Sequence, residues 1–136
     1  MHSLAKKIQL VKQAFPTKTS FCNGETSPSA VTSFECCECG HQNPLKITPY
    51  ESGYPIGLLY HKDQVISKEE LLRHKLVTKT AKNFLHFGEF TVNNLPTLYF
   101  GISCTFCRTG YICIFSYGEK QPGLTLLTIS GIWEYL

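Results

Sequence analysis

Seven cysteines are the residues of this chain with the greatest capacity for chemistry, and four of them form two pairs with the same spacing. The pairs are Cys36 with Cys39 and Cys104 with Cys107. Two residues between cysteines let one tight turn present both sulfurs to a single metal ion, and two such turns complete a tetrahedral shell. The sequence therefore predicts one zinc ion held by four thiolates, although 64 residues separate Cys39 from Cys104.

The residues next to each cysteine pair affect how well the turn can form and which side chains could compete as ligands. Gly40 directly follows the first pair, where a left-handed backbone conformation is useful, and Arg108 takes that place after the second pair. Cys37 is the nearest rival ligand, but pairing it with Cys39 would leave one intervening residue. His41 can also replace a cysteine as ligand, and we expect it instead at the surface or in contact with a ligand.

Four thiolates close the coordination shell, whereas catalytic zinc normally keeps an open position, often among histidine and carboxylate ligands. The other histidines show no metal spacing, and no serine or cysteine lies in a local signature of a nucleophile. These observations predict a structural zinc and disfavour catalysis. The alternative reading of clustered cysteines is small buried side chains or a redox pair, and we expect Cys22 and Cys113 to pack in the core.

Cysteine usage also indicates a compartment. An odd number of cysteines fits a disulfide framework poorly. Lysines interrupt the apolar positions of the first 15 residues, so we predict no signal peptide there, and no transmembrane span elsewhere. A reducing, cytoplasmic compartment is therefore expected, in which thiolates are free to bind metal.

The elements that must position the cysteines follow from length and pattern. A chain of 136 residues with 43% hydrophobic content is expected to form a single zinc-stabilised domain, residues 1–136. We distinguish four parts, with an irregular connector at residues 17–29: an N-terminal helix (1–16), the first metal turn and its strands (30–50), a helical insertion (51–95), and the second metal turn with a β-hairpin (96–136).

Two helices are predicted. Leu4, Ile8, Val11 and Phe15 have the spacing of one helical face, and Pro16 should end that helix. A second helix is expected from Ser67, which opens a capping box, to about His86, with Gly88 as its stop. Thr78 and Thr80 weaken its middle and can split it. Its expected inward residues are Leu72, Leu76, Ala81, Phe84 and Leu85.

Alternating and β-branched residues predict strands on both sides of each metal turn. The expected strands are 30–35, 44–50, 97–103, 111–117 and 124–133, and residues 118–123 form the last hairpin connection. The final strand is expected to end inside the fold.

At the two metal turns the chain resembles zinc-ribbon proteins, in which two such knuckles at the ends of β-hairpins bind a structural zinc, over about 30 residues. The resemblance implies ligand roles for Cys36, Cys39, Cys104 and Cys107. It also implies an antiparallel sheet of about three strands beside the metal. The expected fold class is therefore α+β: a zinc-ribbon-like antiparallel β-sheet with an N-terminal helix and a helical insertion between the knuckles.

Two functions are compatible with such a domain. The formal net charge of +3 falls to about +1 once zinc and four thiolates are counted, which weakens the case for an acidic partner. Residues 61–87 contain six basic and three acidic residues, and basic residues bind the phosphates of nucleic acids. A nucleic-acid-binding zinc ribbon is therefore the alternative function. Tyr50, Tyr54 and Tyr60 suit a protein interface, or else close the edge of the core.

We expect direct protein binding to be the function. A small zinc-built domain without catalytic groups has an architectural likeness to bacterial immunity proteins, which neutralise a cognate toxin by direct binding. That likeness implies a toxin-neutralising inhibitor with a protein partner, and no membrane partner is expected.

Overall fold

The computed structural model describes residues 1–136 and consists mostly of antiparallel β-sheet with a few short helices. The ten strands, in chain order, are β1 (Leu10–Ala14), β2 (Ser20–Cys22), β3 (Ala30–Glu35), β4 (Gln42–Ile47), β5 (Tyr54–Pro55), β6 (Thr78–Lys79), β7 (Phe90–Thr91), β8 (Thr97–Ser103), β9 (Gly110–Gln121) and β10 (Leu124–Tyr135). The helices are α1 (Gly57–Tyr60) and α2 (Lys68–Arg73), with 3-10 turns at Asn23–Thr26, His61–Asp63 and Lys82–Phe87. The zinc-ribbon arrangement itself stays a prediction.

The main sheet has the strand order β1-β10-β9-β8-β5, and β2 joins it on the same edge of β10 as β1. Residues 132–135 of β10 pair with β1, and residues 126–128 pair with β2. The last strand is thus paired along both edges. The hairpin β3–β4 forms a separate two-stranded sheet.

Two hydrophobic cores lie on opposite faces of the main sheet. Along β9 the side chains of Tyr111, Cys113 and Phe115 belong to one core, and those of Ile112 and Ile114 belong to the other. This alternation follows from the two-residue period of a strand. All five side chains are at most 1% exposed, so β9 is buried on both faces.

Each face of the sheet is covered by a different part of the chain. The hairpin β3–β4 covers the first face with Phe34, Leu45 and Ile47. The segment between β5 and β7 covers the second face, where Leu59 and Leu71 are fully buried. The insertion between the two metal turns is therefore a layer of the fold that packs against the sheet.

The predicted N-terminal helix is wrong, because residues 10–14 form strand β1 on the edge of β10. Of the four residues that suggested a helical face, only Ile8 is buried, whereas Val11 is 39% and Phe15 is 71% exposed. An unpaired edge of a long strand offers the backbone a hydrogen-bonding ladder. That tertiary pairing outweighs a weak periodic signal.

The predicted second helix begins as expected and ends early. The Ser67 side chain accepts a hydrogen bond from the Glu70 N–H at 3.2 Å, so Ser67 is the N-cap. The helix stops at Arg73, and Lys75 adopts a φ of +58°, which turns the chain. Thr78 then enters strand β6, in keeping with the β preference of threonine.

The residues after this break do not pack as the longer helix would require. Leu76 is buried as predicted, but Phe84 and Leu85, with Leu72 before the break, are 38–54% exposed, and Ala81 is also exposed. Gly88 does end a helical segment, because its N–H bonds to the Leu85 carbonyl at the end of the 3-10 turn. The longest helical segments have six residues, and no helix is long and apolar enough to cross a membrane.

Candidate metal centre

The four paired cysteines lie together at the tips of two hairpins, β3–β4 and β8–β9. Their sulfurs are all within 4.8 Å of one another. The Sγ atoms of Cys36 and Cys107 are 3.6 Å apart, and so are those of Cys39 and Cys104. Tetrahedral zinc with Zn–S bonds of about 2.3 Å requires sulfurs about 3.8 Å apart. The sulfur separations therefore suit a tetrahedral thiolate site.

The first metal turn is closed by backbone hydrogen bonds. The Cys36 N–H donates to the His41 carbonyl at 2.9 Å, and the Gly40 N–H donates to the Cys36 carbonyl at 3.0 Å. Gly40 has a φ of +75°, the left-handed conformation that its position after the pair suggested.

The second metal turn repeats the same arrangement. The Cys104 N–H donates to the Thr109 carbonyl at 2.8 Å, and the Arg108 N–H donates to the Cys104 carbonyl at 3.0 Å. Arg108 has a φ of +70°, so it takes the conformation of Gly40 despite its side chain. The two turns are thus equivalent, and the second contains a residue in a strained region.

The four sulfurs differ in burial in a regular way. Cys36 and Cys104, the first cysteine of each turn, are 2% and 0% exposed. Cys39 and Cys107, the second of each turn, are exposed. We call the first two the inner cysteines and the other two the outer cysteines.

Tyr111, on β9, supports the inner cysteine of the first turn. Its hydroxyl donates to the Cys36 Sγ at 3.2 Å and accepts from the Cys37 N–H at 2.7 Å. Burial raises the pKa of the Tyr111 hydroxyl, so it keeps the proton that it donates.

Asn43, on β4, supports the inner cysteine of the second turn. Its Nδ2 donates to the Cys104 Sγ at 3.4 Å and to the His41 carbonyl at 3.1 Å. Its Oδ1 accepts from the Thr105 N–H at 3.0 Å. Sequence reasoning missed both Asn43 and Tyr111, although each lies seven residues after the inner cysteine of its own turn.

The surroundings of the sulfurs act on their ionisation. Burial opposes ionisation of Cys104, yet backbone N–H groups and Asn43 favour its thiolate and lower its pKa to about 6. Burial also opposes ionisation of Cys36, whose pKa is lowered by the Tyr111 hydrogen bond and by backbone N–H groups. The His41 N–H favours the Cys39 thiolate, but burial and the neighbouring sulfurs together raise its pKa to about 12.

The alternative ligands lie outside this group of sulfurs. The Cys37 Sγ contacts the Gln13 carbonyl at 3.6 Å. His41 is exposed, and its ring stacks on Phe106 with a centroid distance of 5.8 Å. His41 therefore lies at the surface, and it contributes backbone groups to the turn.

The two remaining cysteines differ from each other. Cys113 is fully buried, as predicted, and burial raises its pKa. The expectation that Cys22 packs in the core is wrong, because Cys22 is exposed at the end of β2 beside Glu25.

Two equivalent turns thus bring four sulfurs within bonding reach of one metal ion, with two side chains from the hairpin strands bonded to the inner pair. The chain matches no protein-family model, no curated protein and no solved structure.

Proposed function

We propose that this chain binds one structural zinc ion through Cys36, Cys39, Cys104 and Cys107 and acts, without catalysis, by binding another protein. Four thiolates at these separations match the preference of zinc for a tetrahedral sulfur shell. A shell filled by four protein ligands has no open position for a substrate or a reactive water. The role of the metal in this proposal is therefore structural.

The role of the metal in the fold follows from which elements it joins. The first turn belongs to the hairpin that covers one face of the sheet, and the second turn belongs to two strands of the sheet itself. Structural zinc contributes roughly 10–16 kcal/mol at neutral pH. A domain of this size is stable by about 5–15 kcal/mol in total, so removal of zinc should unfold it.

An exposed aromatic surface carries the proposal of protein binding. Tyr50 is 92% exposed, and its ring stands edge-on to that of Tyr117 at 5.2 Å. Both rings, together with Phe87, line a cavity of about 380 Å³. We call this region the Tyr50 groove; its apolar lining also includes Leu95, Pro96, Leu98 and Phe115.

The apolar surface continues from the groove onto the 3-10 turn Lys82–Phe87. The ring of Phe84 stacks on that of Phe87 at 6.4 Å, and Leu85 is 54% exposed. Contiguous exposed apolar surface of this kind marks interaction sites, whereas single exposed apolar residues are ordinary. The other two tyrosines named from the sequence are partly buried, with Tyr54 packed on Tyr99 and Tyr60 on Phe90.

The specific form of protein binding that we propose is neutralisation of a toxin. Its support is the likeness of a small zinc-built domain without a catalytic constellation to immunity proteins. The proposed compartment is the cytoplasm, where free thiols persist.

A nucleic-acid partner is the second candidate, and one observation favours it. Lys82 lies in the same 3-10 turn as Phe84, whose ring is exposed, and Lys79 lies on the strand before that turn, a combination that suits stacked, single-stranded bases. The other basic residues of this segment lie before this strand and turn, two of them on α2, and Lys68 pairs with Glu89 at 3.0 Å. The basic charge therefore does not form one stripe, and we rank protein binding first.

Binding assays on matched variants distinguish the two candidates. The chain is used as bait on nuclease-treated lysate, and each captured protein is then purified and titrated against the chain. We expect one protein to bind directly, with an affinity that changes little with salt, and Tyr50→Ser to weaken it while Phe15→Ser, at a 71% exposed residue elsewhere, does not. Capture that is lost with nuclease, or affinity that falls steeply with salt, would support the nucleic-acid candidate and refute the protein partner.

A further inference from the structure

We propose that Asn43 and Tyr111 are positioning residues that act as a reciprocal pair: each holds the inner cysteine of the opposite metal turn, and together they set how long the site retains its metal. This inference rests on the proposed zinc site and goes beyond it, because ligand identity alone does not determine the rate at which a metal leaves.

The two residues occupy equivalent places. Asn43 lies on the strand that returns from the first turn, and Tyr111 lies on the strand that returns from the second. Each is seven residues beyond the inner cysteine of its own turn, and each reaches across to the other turn. Asn43 contacts Cys104, 61 residues away, and Tyr111 contacts Cys36, 75 residues away.

Both residues hold their target at two points. Asn43 donates to the Cys104 Sγ and accepts from the N–H of the next residue, Thr105. Tyr111 donates to the Cys36 Sγ and accepts from the N–H of the next residue, Cys37. An amide and a phenol thus form the same pair of bonds, which fixes the sulfur relative to the main chain of its turn.

The surroundings make these bonds effective. Asn43 is 1% exposed and Tyr111 is 0% exposed, so water does not compete for either side chain. A hydrogen bond to a thiolate is charge-assisted and stabilises the negative form that binds metal. Groups that orient metal ligands in this way typically change metal affinity by about 10- to 100-fold.

The outer cysteines have no equivalent support from the opposite turn. Cys39 and Cys107 are exposed, and the hydroxyl that lies 3.0 Å from the Cys107 Sγ belongs to Thr109 of the same turn. Apart from the metal, the contacts of Asn43 with Cys104 and of Tyr111 with Cys36 are therefore the side-chain links between a strand of one hairpin and the inner sulfur of the other turn.

Metal exchange in conservative variants tests the proposal. Tyr111→Phe removes one donor without a change in charge and is the cleaner variant. Asn43→Asp keeps the acceptor for Thr105 while removing the donors to Cys104 and to the His41 carbonyl and adding a carboxylate beside the sulfurs. Tyr99→Phe is the matched control, because the Tyr99 hydroxyl is also buried and bonds the Leu4 N–H at 3.1 Å, on the other face of the sheet. Zinc-loaded proteins are mixed with excess chromophoric chelator, and cobalt-loaded proteins are measured by absorption spectroscopy.

We expect zinc to leave Tyr111→Phe and Asn43→Asp about tenfold faster or more than the wild type, with a shifted sulfur-to-cobalt charge-transfer band. Tyr99→Phe should lose stability but keep the wild-type release rate and spectrum. Release rates and spectra equal to those of Tyr99→Phe would overturn the proposal while leaving the zinc site in place. A wild-type chain that binds neither metal would instead refute the proposed function. If Asn43→Asp does not fold, Tyr111→Phe decides the question alone.

Discussion

Arg108 has a left-handed backbone conformation that its side chain disfavours, which makes Arg108→Gly a stabilising substitution. The residue has a φ of +70°, equivalent to the +75° of Gly40 in the first metal turn. Its side chain is exposed and forms no ion pair within the protein. The substitution therefore relieves the backbone without removing a charge interaction.

The size of the effect follows from two opposing contributions. A non-glycine residue in this region costs roughly 1–2 kcal/mol. Glycine in turn loses more conformational entropy on folding, which cancels about 0.5–1 kcal/mol of the gain. The free energy of unfolding should thus rise by about 0.5–1 kcal/mol, which corresponds to about 2–4 °C in Tm for a chain of this size.

Three further variants separate the effect of the left-handed backbone conformation on stability from the effect of the side chain. Arg108→Ala removes the side chain but keeps the strain, so it should match the wild type, and Arg108→Asn should fall between Ala and Gly because asparagine tolerates this conformation. Gly40→Ala should lose about as much stability as Arg108→Gly gains. The added Cβ would meet only the Glu35 Oε1, at 3.7 Å, so crowding contributes little.

Urea unfolding followed by Trp133 fluorescence, at one buffered concentration of free zinc, measures these differences without a change in metal occupancy. Arg108→Gly at or below the stability of Arg108→Ala would refute the equivalence of the two turns.

Other predictions concern the two cores, the free thiols and pH. Leu45→Ala and Leu71→Ala should each cost about 2–5 kcal/mol in urea unfolding, and their effects should add because they lie on opposite faces of the sheet; a coupling above about 1 kcal/mol would contradict the two-core arrangement. In zinc-loaded protein, iodoacetamide should modify exposed Cys22 first and buried Cys113 only on unfolding, and equal rates by peptide mass spectrometry would contradict their placement. Backbone N–H groups and Asn43 lower the pKa of Cys104 in the folded chain, and a metal-free chain that unfolds loses these hydrogen bonds. Zinc binding by the metal-free chain should therefore displace protons from all four thiols, whose unfolded pKa is about 8.5, and should weaken steeply as pH falls from about 8 to about 5; an affinity that stays constant over this range, measured by calorimetry in two buffers, would argue against four thiolate ligands.

The sequence predicted the hairpins well because their signals are local. Strands β3 (Ala30–Glu35) and β8 (Thr97–Ser103) have the predicted bounds, and each leads directly into a cysteine pair whose spacing already requires a turn. The grouping of the four sulfurs likewise follows from that spacing, so it is found without knowledge of the rest of the fold.

The sequence predicted the helices poorly because their signals competed with distant partners. Residues 10–14 have a helical pattern, yet β10, more than 100 residues later, supplies a hydrogen-bonding edge for them. The second helix ends where Lys75 turns the chain and Thr78 pairs with β7, and the threonines had marked that weak point.

Contacts across the two turns could not be read from the chain. Asn43 and Tyr111 reach their sulfurs only after both hairpins are placed side by side, and neither residue type is a usual marker of a metal site. The burial of Cys22 was predicted wrongly for another reason. Cysteine is usually buried, but this general preference does not account for the position of Cys22 at the exposed end of a short strand.

The metal content of the purified chain, measured together with its far-UV circular dichroism before and after chelation, tests the central claim most directly. We expect one zinc ion per chain and loss of the β-sheet signal when a chelator removes it, with the same loss in Cys36→Ser and Cys107→Ser. Absence of stoichiometric zinc, or a metal-free chain that keeps its β-sheet signal and its resistance to urea, would contradict a fold built on a structural zinc site.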